Sequence, residues 1–212
     1  MLSPITAETF KTLVFDAGML LVNFDFKTAN DAQSLIALVT SSETQKKSWL
    51  GATKGGVNVQ ENREWWSPEM DGLRMPYKGM QRPSTAAPKM TGTLVEFRPM
   101  NVKLASGAAE ITGEDTNVIT VQPKASIKAN DYLDNVDFIG DNGEDGLYLV
   151  ELKNAICTSG INTQTADKDI GTIPFEFSGN SDSPVFTDDL PVKYMFFKAS
   201  ASSTEATDSN DA

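Results

Sequence analysis

The sequence predicts a mainly β protein, a β-sandwich or barrel with one or two short helices and a long inter-strand loop. Three observations carry this expectation. Short runs rich in β-branched and aromatic residues recur along the chain between clusters of Gly, Pro, Asn and Asp. Two of these runs, Asn135 to Ile139 and Leu147 to Leu152, flank Gly140-Asp141-Asn142-Gly143-Glu144-Asp145-Gly146, a strong hairpin signal. A third run, Val57 to Gln60, is separated from its natural partner, Met90 to Phe97, by an unusually long Pro-, Gly- and Trp-bearing stretch.

The elements follow in order. Thr6 to Phe15 has an N-cap residue and an acidic first turn, so a short helix is expected, ended by Asp16-Ala17-Gly18. Met19 to Phe24 reads as a strand. Gln33 to Val39 is apolar and short, compatible with helix or strand. Val57 to Gln60 alternates apolar and polar residues, as a half-buried strand does. Met90 to Phe97 reads as the next strand. Pro99 suits a first helical turn, with Met100 to Leu104 completing the helix before Gly107. Asn117 to Val121 reads as a strand stopped by Pro123. Cys157 to Asn162, Gly171 to Phe177 and Val192 to Lys198 are further strand-like segments. Residues 1–198 are expected to form one β domain. Residues 199–212, rich in Ser, Thr, Ala and Asp, read as a flexible acidic tail.

Composition narrows the function. The formal net charge is −11, which disfavours holding nucleic acid without excluding a surface past which DNA slides, and which by itself speaks to solubility. The segment Met1 to Thr12 lacks the basic and apolar regions of a signal peptide, so none is expected. The run Met19-Leu20-Leu21-Val22 is far too short to span a bilayer, and no membrane anchoring is expected.

There is no histidine, so no Ser-His-Asp or Cys-His machinery can form and the commonest metal ligand is missing. The single cysteine, Cys157, allows no intrachain disulfide and reads as a small core residue. The acidic turn 141–146 lacks the spacing of a calcium-binding loop and reads as a hairpin tip. Lys54 sits among glycines, but Gly55 follows where a phosphate-binding loop wants Ser or Thr. Carboxylate pairs for glycoside hydrolysis have no local motif. No enzyme activity, cofactor or metal is expected.

The long stretch 62–88 carries what remains. It holds Trp65, Trp66, Met70, Met75, Tyr77 and Met80, interleaved with Arg63, Arg74, Lys78 and Arg82. Aromatic residues, Met and Arg are the types enriched where proteins dock. The expected inter-subunit contacts are Trp65, Trp66, Arg74, Tyr77, Lys78 and Arg82.

Several segments resemble, in order, the major tail tube proteins of long-tailed, non-contractile bacteriophages. These are Phe15-Asp16-Ala17-Gly18 with Asn23-Phe24-Asp25, Gly51-Ala52-Thr53-Lys54-Gly55-Gly56-Val57, and Asp71-Gly72-Leu73-Arg74-Met75-Pro76-Tyr77-Lys78-Gly79. Tyr132-Leu133-Asp134-Asn135-Val136, Leu152-Lys153-Asn154-Ala155, Asp167-Lys168-Asp169 and Ile173-Pro174-Phe175-Glu176-Phe177 follow. The resemblance spans about Thr9 to Gly179; Trp65-Trp66 and the acidic tail depart from the pattern.

The resemblance implies a virion protein of the tail, made in the host bacterial cytoplasm. It implies hexameric rings that stack into a tube around a continuous inner β-barrel whose electronegative lumen conducts DNA. The implied partners are further copies of the chain, a tape-measure protein and tail-end or baseplate proteins. Alternation makes Asn58, Gln60, Glu96, Glu151 and Glu176 candidates for the lumen, with Val57, Val59, Val95, Phe97, Val150, Leu152, Phe175 and Phe177 turned to the core. Alternative readings are another ring-forming protein (tail terminator, distal tail protein or type VI secretion tube subunit) or a monomeric β-sandwich binding module.

Overall fold

The computed structural model describes residues 18–72, 74–75, 77–113, 117–143, 146–163, 171–183 and 189–199. The expected helix 6–15, the Asp167-Lys168-Asp169 motif, the centre of the 141–146 tip and the tail from residue 200 lie outside them.

Nine strands and three α-helices are present among the described residues. They are β1 (Met19–Val22), α1 (Ala32–Val39), α2 (Ser42–Lys47), β2 (Thr53–Trp66), β3 (Arg82–Leu94), α3 (Pro99–Ala105), β4 (Ala109–Thr112), β5 (Thr120–Pro123), β6 (Leu133–Asp141), β7 (Gly146–Cys157), β8 (Ile173–Ser178) and β9 (Val192–Lys198). All strand pairings are antiparallel.

One sheet runs β1-β6-β7-β9. A second runs β2-β3-β8, and the end of β7 joins it through Ile156 and Cys157 opposite Ser178 and Phe177. Strand β7 is therefore the corner shared by two sheets, a device of sandwich folds. β4 and β5 form a separate two-stranded ladder.

The main core lies between the sheets. Leu20, Val22, Val136, Phe138, Val150 and Leu152 meet Met90, Leu94, Ile173, Phe175 and Phe177, with Leu104 and Ala105 of α3 completing the cluster. Cys157 is a free thiol buried in it. The opposite face of the first sheet, with Leu21, Ile139, Leu149 and Phe197, is covered by Ala32, Leu35 and Val39 of α1. The Asp31 carboxylate caps α1 by accepting the Ser34 N–H at 2.7 Å, which decides the ambiguous 33–39 run for helix. Between the end of α1 and β2, the buried Asn101 amide donates to the Leu50 and Glu96 carbonyls at 2.9 and 2.8 Å, tying α3 to both flanking loops.

Several boundaries differ from the sequence expectation. The long loop is mostly a hairpin arm: β2 continues through Trp66, and β3 begins at Arg82 instead of Met90, with Asn62 opposite Ala87 and Trp66 opposite Arg82. Both faces of the arm meet solvent, so its residues show no apolar alternation to read. Pro83 and Pro88 fit because β8 pairs only with Lys89–Leu94, leaving the rest of β3 an edge strand.

Strand β3 also stops at Leu94, and Phe97 is exposed. The Cys157 strand ends where the expected 157–162 strand was to begin. Residues 42–47 form a helix whose polar sequence carries no core-facing stripe.

Candidate assembly surface and an acidic cavity

The β2–β3 arm and its tip, 67–81, gather the expected docking residues. Trp65 and Trp66 are more than half exposed, and Met75 and Tyr77 more than two-thirds. The Arg82 guanidinium donates to the Gly79 carbonyl at 2.9 Å, bracing the tip. Arg63 is held by Glu61 at 2.6 Å, on the arm face nearest Tyr194 of β9. Burial raises the Tyr194 phenol pKa, with Glu61 contributing. On β9, Tyr194 and Phe196 are themselves exposed. Along β2 and β9 the outer strand edges meet no further strand among the described residues. Such edges offer unpaired N–H and C=O groups to another chain.

Backbone geometry at the root of the arm explains the Gly51 to Val57 segment. Gly51 has φ of +95°, and a Cβ there would strike the Glu96 carboxylate, which accepts the Ala52 N–H at 2.9 Å. Gly55 and Gly56 also have positive φ and make the irregularity between Thr53 and Val57 that lets β2 turn into the arm.

The five candidate lumen residues do not share one face. Asn58, Gln60 and Glu176 do: Asn58 lies opposite Thr91, which pairs with Glu176, and Gln60 lies opposite Lys89. Their neighbours Val57, Val59, Met90 and Phe177 turn to the core, so this polar row is the outer face of the β2-β3-β8 sheet. There Lys89 bonds Glu176 at 2.8 Å and the Thr158 hydroxyl donates to the same carboxylate at 3.0 Å. Lys89 first, then Thr158, hold the Glu176 carboxyl below its usual pKa. Glu176 is therefore charge-compensated.

Glu96 lies past the end of β3, ion-paired to Arg98 and bonded to the Ala52 N–H. Glu151 belongs to the other sheet and is 9% exposed. Period-two alternation assigns a side chain to a face of its own sheet but not to one sheet among two, which is why Glu151 was grouped wrongly.

Sequence reasoning also missed Asp137. It lies on β6, directly across from Glu151 on β7 and from Leu21 on β1. It is fully buried on the face covered by α1, and both carboxylate oxygens lack a hydrogen-bond partner among the described residues. Burial, with the Glu151 charge second, pushes its pKa up to about 8, so the carboxyl is neutral at pH 7. An acidic residue inside an apolar strand run was the only signal.

Beside this pair opens a cavity of about 340 Å³ between the residues after β1 and the ends of β6 and β7, with Glu151 in its wall. Asn23 and Asn154, both with positive φ, shape it. The Asn23 side-chain oxygen accepts the Asp134 N–H at 2.9 Å, and the Asn154 amide donates to Asp182 at 2.7 Å.

Among the described residues, no cluster of three or more metal-ligating side chains is present and no helix is long and apolar enough to cross a membrane. No protein-family model matches the chain, and no curated protein matches it. Among solved structures, the cryo-EM structure of the anti-feeding prophage cap, a tube terminating cap, superposes with a TM-score of 0.35 at 11% identity, over 70% of this chain and 82% of that one.

Proposed function

We propose that the chain is a tail tube subunit that closes into hexameric rings and stacks into a hollow tube conducting DNA. The arm carries this reading: a paired β-hairpin, exposed on both faces, ending in tryptophan, methionine and tyrosine side chains. A monomer gains nothing from such an arm, whereas a neighbouring ring can bury it. The ordered sequence segments supply the class, and the open β2 and β9 edges supply sites where strands of adjacent copies can join.

In this reading the row Asn58, Gln60, Thr91, Lys89 and Glu176 faces the lumen. Amides, a hydroxyl and a compensated ion pair present no free cation to phosphate, while the overall charge of −11 keeps DNA from adhering. Neither a cofactor nor catalysis enters. The tape-measure and tail-end proteins would meet the inner wall and the terminal rings.

The test is negative-stain electron microscopy of the full chain, dilute and concentrated, beside a variant with 67–81 replaced by a short Gly-Ser turn. Tubes or stacked rings from the parent, and folded subunits without tubes from the variant, are expected. Normal tubes from the variant would remove the arm's role. A parent that stays monomeric at every concentration, even with purified tail-tip initiator, would favour the binding-module reading.

A further inference from the structure

We infer that Met70 and Met75 form an oxidation site for hydroperoxides, and that their conversion to sulfoxides takes the arm tip out of docking. The modification itself follows from where the thioethers stand; its consequence for assembly rests on the tube reading.

Methionine is concentrated at the tip. Of eight methionines in the chain, Met70, Met75 and Met80 fall within residues 67–81 and line one recess of about 280 Å³ with Pro68, Glu69 and Arg74. Met70 is 53% exposed and Met75 77%, while Met80 is half-buried. The other described methionines are withdrawn. Met90 is fully buried in the main core, Met100 is half-buried against that core, and Met19 and Met195 are half-buried against the core beneath α1. Cys157, the one thiol, is buried as well. A core methionine fills gaps, whereas a thioether more than half exposed on a projecting tip fills none in its own subunit. A peroxide must reach the sulfur, so exposure orders the reaction: Met75 and Met70 first, Met80 next, the core sulfurs last.

The step is a two-electron transfer of oxygen. The thioether sulfur attacks the distal peroxide oxygen, the S–O bond forms as the O–O bond breaks, and the remaining oxygen takes the proton and leaves, as water when the oxidant is hydrogen peroxide. Sulfur is oxidised and the peroxide reduced. The product is a polar, chiral side chain with a strong acceptor oxygen where an adaptable apolar one stood. A tip that docks by burying Met70 and Met75 must then bury two acceptors made for water, which is unfavourable unless donors meet them. Reduction of both sulfoxide epimers restores the apolar surface, so the change is reversible.

The test treats the dilute full chain with hydrogen peroxide, maps the gained oxygen by peptide mass, removes the peroxide, and measures assembly of the concentrated chain by sedimentation. One oxygen each at Met70 and Met75, before any at Met19, Met90, Met100 or Met195, is expected. The concentration needed for assembly should rise about tenfold or more, and treatment with methionine sulfoxide reductases for both epimers should return it. The double variant Met70→Leu with Met75→Leu, measured against its own untreated state, should not respond to peroxide. If that variant does not assemble at all, reductase rescue of the parent decides.

Oxidation spread evenly over the methionines would overturn the site. Oxidised tips that assemble at the parent's concentration, or a loss that the reductases do not reverse, would overturn the switch while retaining the tube. A parent that stays monomeric before treatment would reject the tube reading, and selective oxidation at Met70 and Met75 would still uphold the modification site.

Discussion

Replacing Asp137 by Asn should make the subunit more stable at alkaline pH and change it little near pH 4. The sign follows from the direction of the shift. The folded state keeps the Asp137 proton up to about pH 8, whereas the unfolded chain releases it near 3.8. Between those values the folded state binds more protons, so stability falls as pH rises; below the window the penalty is absent and above it the penalty is complete. Three pH units of the window lie above pH 5, and at 1.36 kcal/mol per unit they amount to about 4 kcal/mol, a ceiling that water penetration and local relaxation reduce.

The surroundings sharpen the effect. Glu151 adds like charge, and among described neighbours the nearest cross-strand cation, Lys193, is one strand further away and exposed. Urea unfolding at pH 5, 7 and 9 reads it directly: parent stability should drop by several kcal/mol relative to Asp137→Asn across the series. Parallel stabilities within about 1 kcal/mol from pH 5 to 9 would refute the reasoning, since a buried carboxyl that never changes its cost cannot be protonated in the fold.

Other perturbations address the arm, the polar face and the loop tie. Trp66→Ala should raise the concentration needed for assembly by more than tenfold, about 1.4 kcal/mol or more for a docking anchor, without moving the melting temperature; sedimentation of the concentrated chain measures it. Glu176→Gln should cost under about 1 kcal/mol of stability, as a part-exposed pair does, but free Lys89 to hold phosphate; virions carrying it should eject DNA more slowly in a stopped-flow dye assay. Asn101→Leu should cost about 2 kcal/mol in urea unfolding, because the Leu50 and Glu96 carbonyls lose the Asn101 donor.

Legibility in the sequence followed where the physics is local. Val192–Lys198 and the β6–β7 hairpin were readable because apolar runs and a Gly-Asn-Asp turn depend on neighbours in sequence. The Pro99 helix was readable because proline pre-sets the first turn. The arm was not, since β2 past Gln60 pairs across 15 intervening residues of tip and buries nothing that periodicity could report. Phe97 shows the same limit from the other side: an aromatic at the end of an alternating run looked inward, yet β3 ends at Leu94 and Glu96 turns to bond Ala52. Trp65, Trp66, Arg74 and Tyr77 lie together on the arm and its tip because they are close in sequence, and their exposure is what the structure adds. Glu151 was misplaced, and Asp137 passed over, because their meaning comes from a cross-strand pairing that only the folded register supplies.

The arm and the buried Asp137 carboxyl pose complementary energetic problems. A two-stranded ribbon standing off the core is marginal by itself, since its ladder must offset chain entropy without buried apolar area. The Asp137 carboxyl is costly for the opposite reason, being buried with no hydrogen-bond partner among the described residues. Within the subunit, α1 closes the Asp137 face with uncharged residues. In the tube reading proposed above, the arm would gain buried area only against another copy, so one encounter between dilute subunits would gain little, whereas a ring with its strand edges already fixed would offer more. Slow spontaneous initiation followed by growth from a template is what that proposal expects, and a lag in tube formation that preformed rings abolish would be its signature.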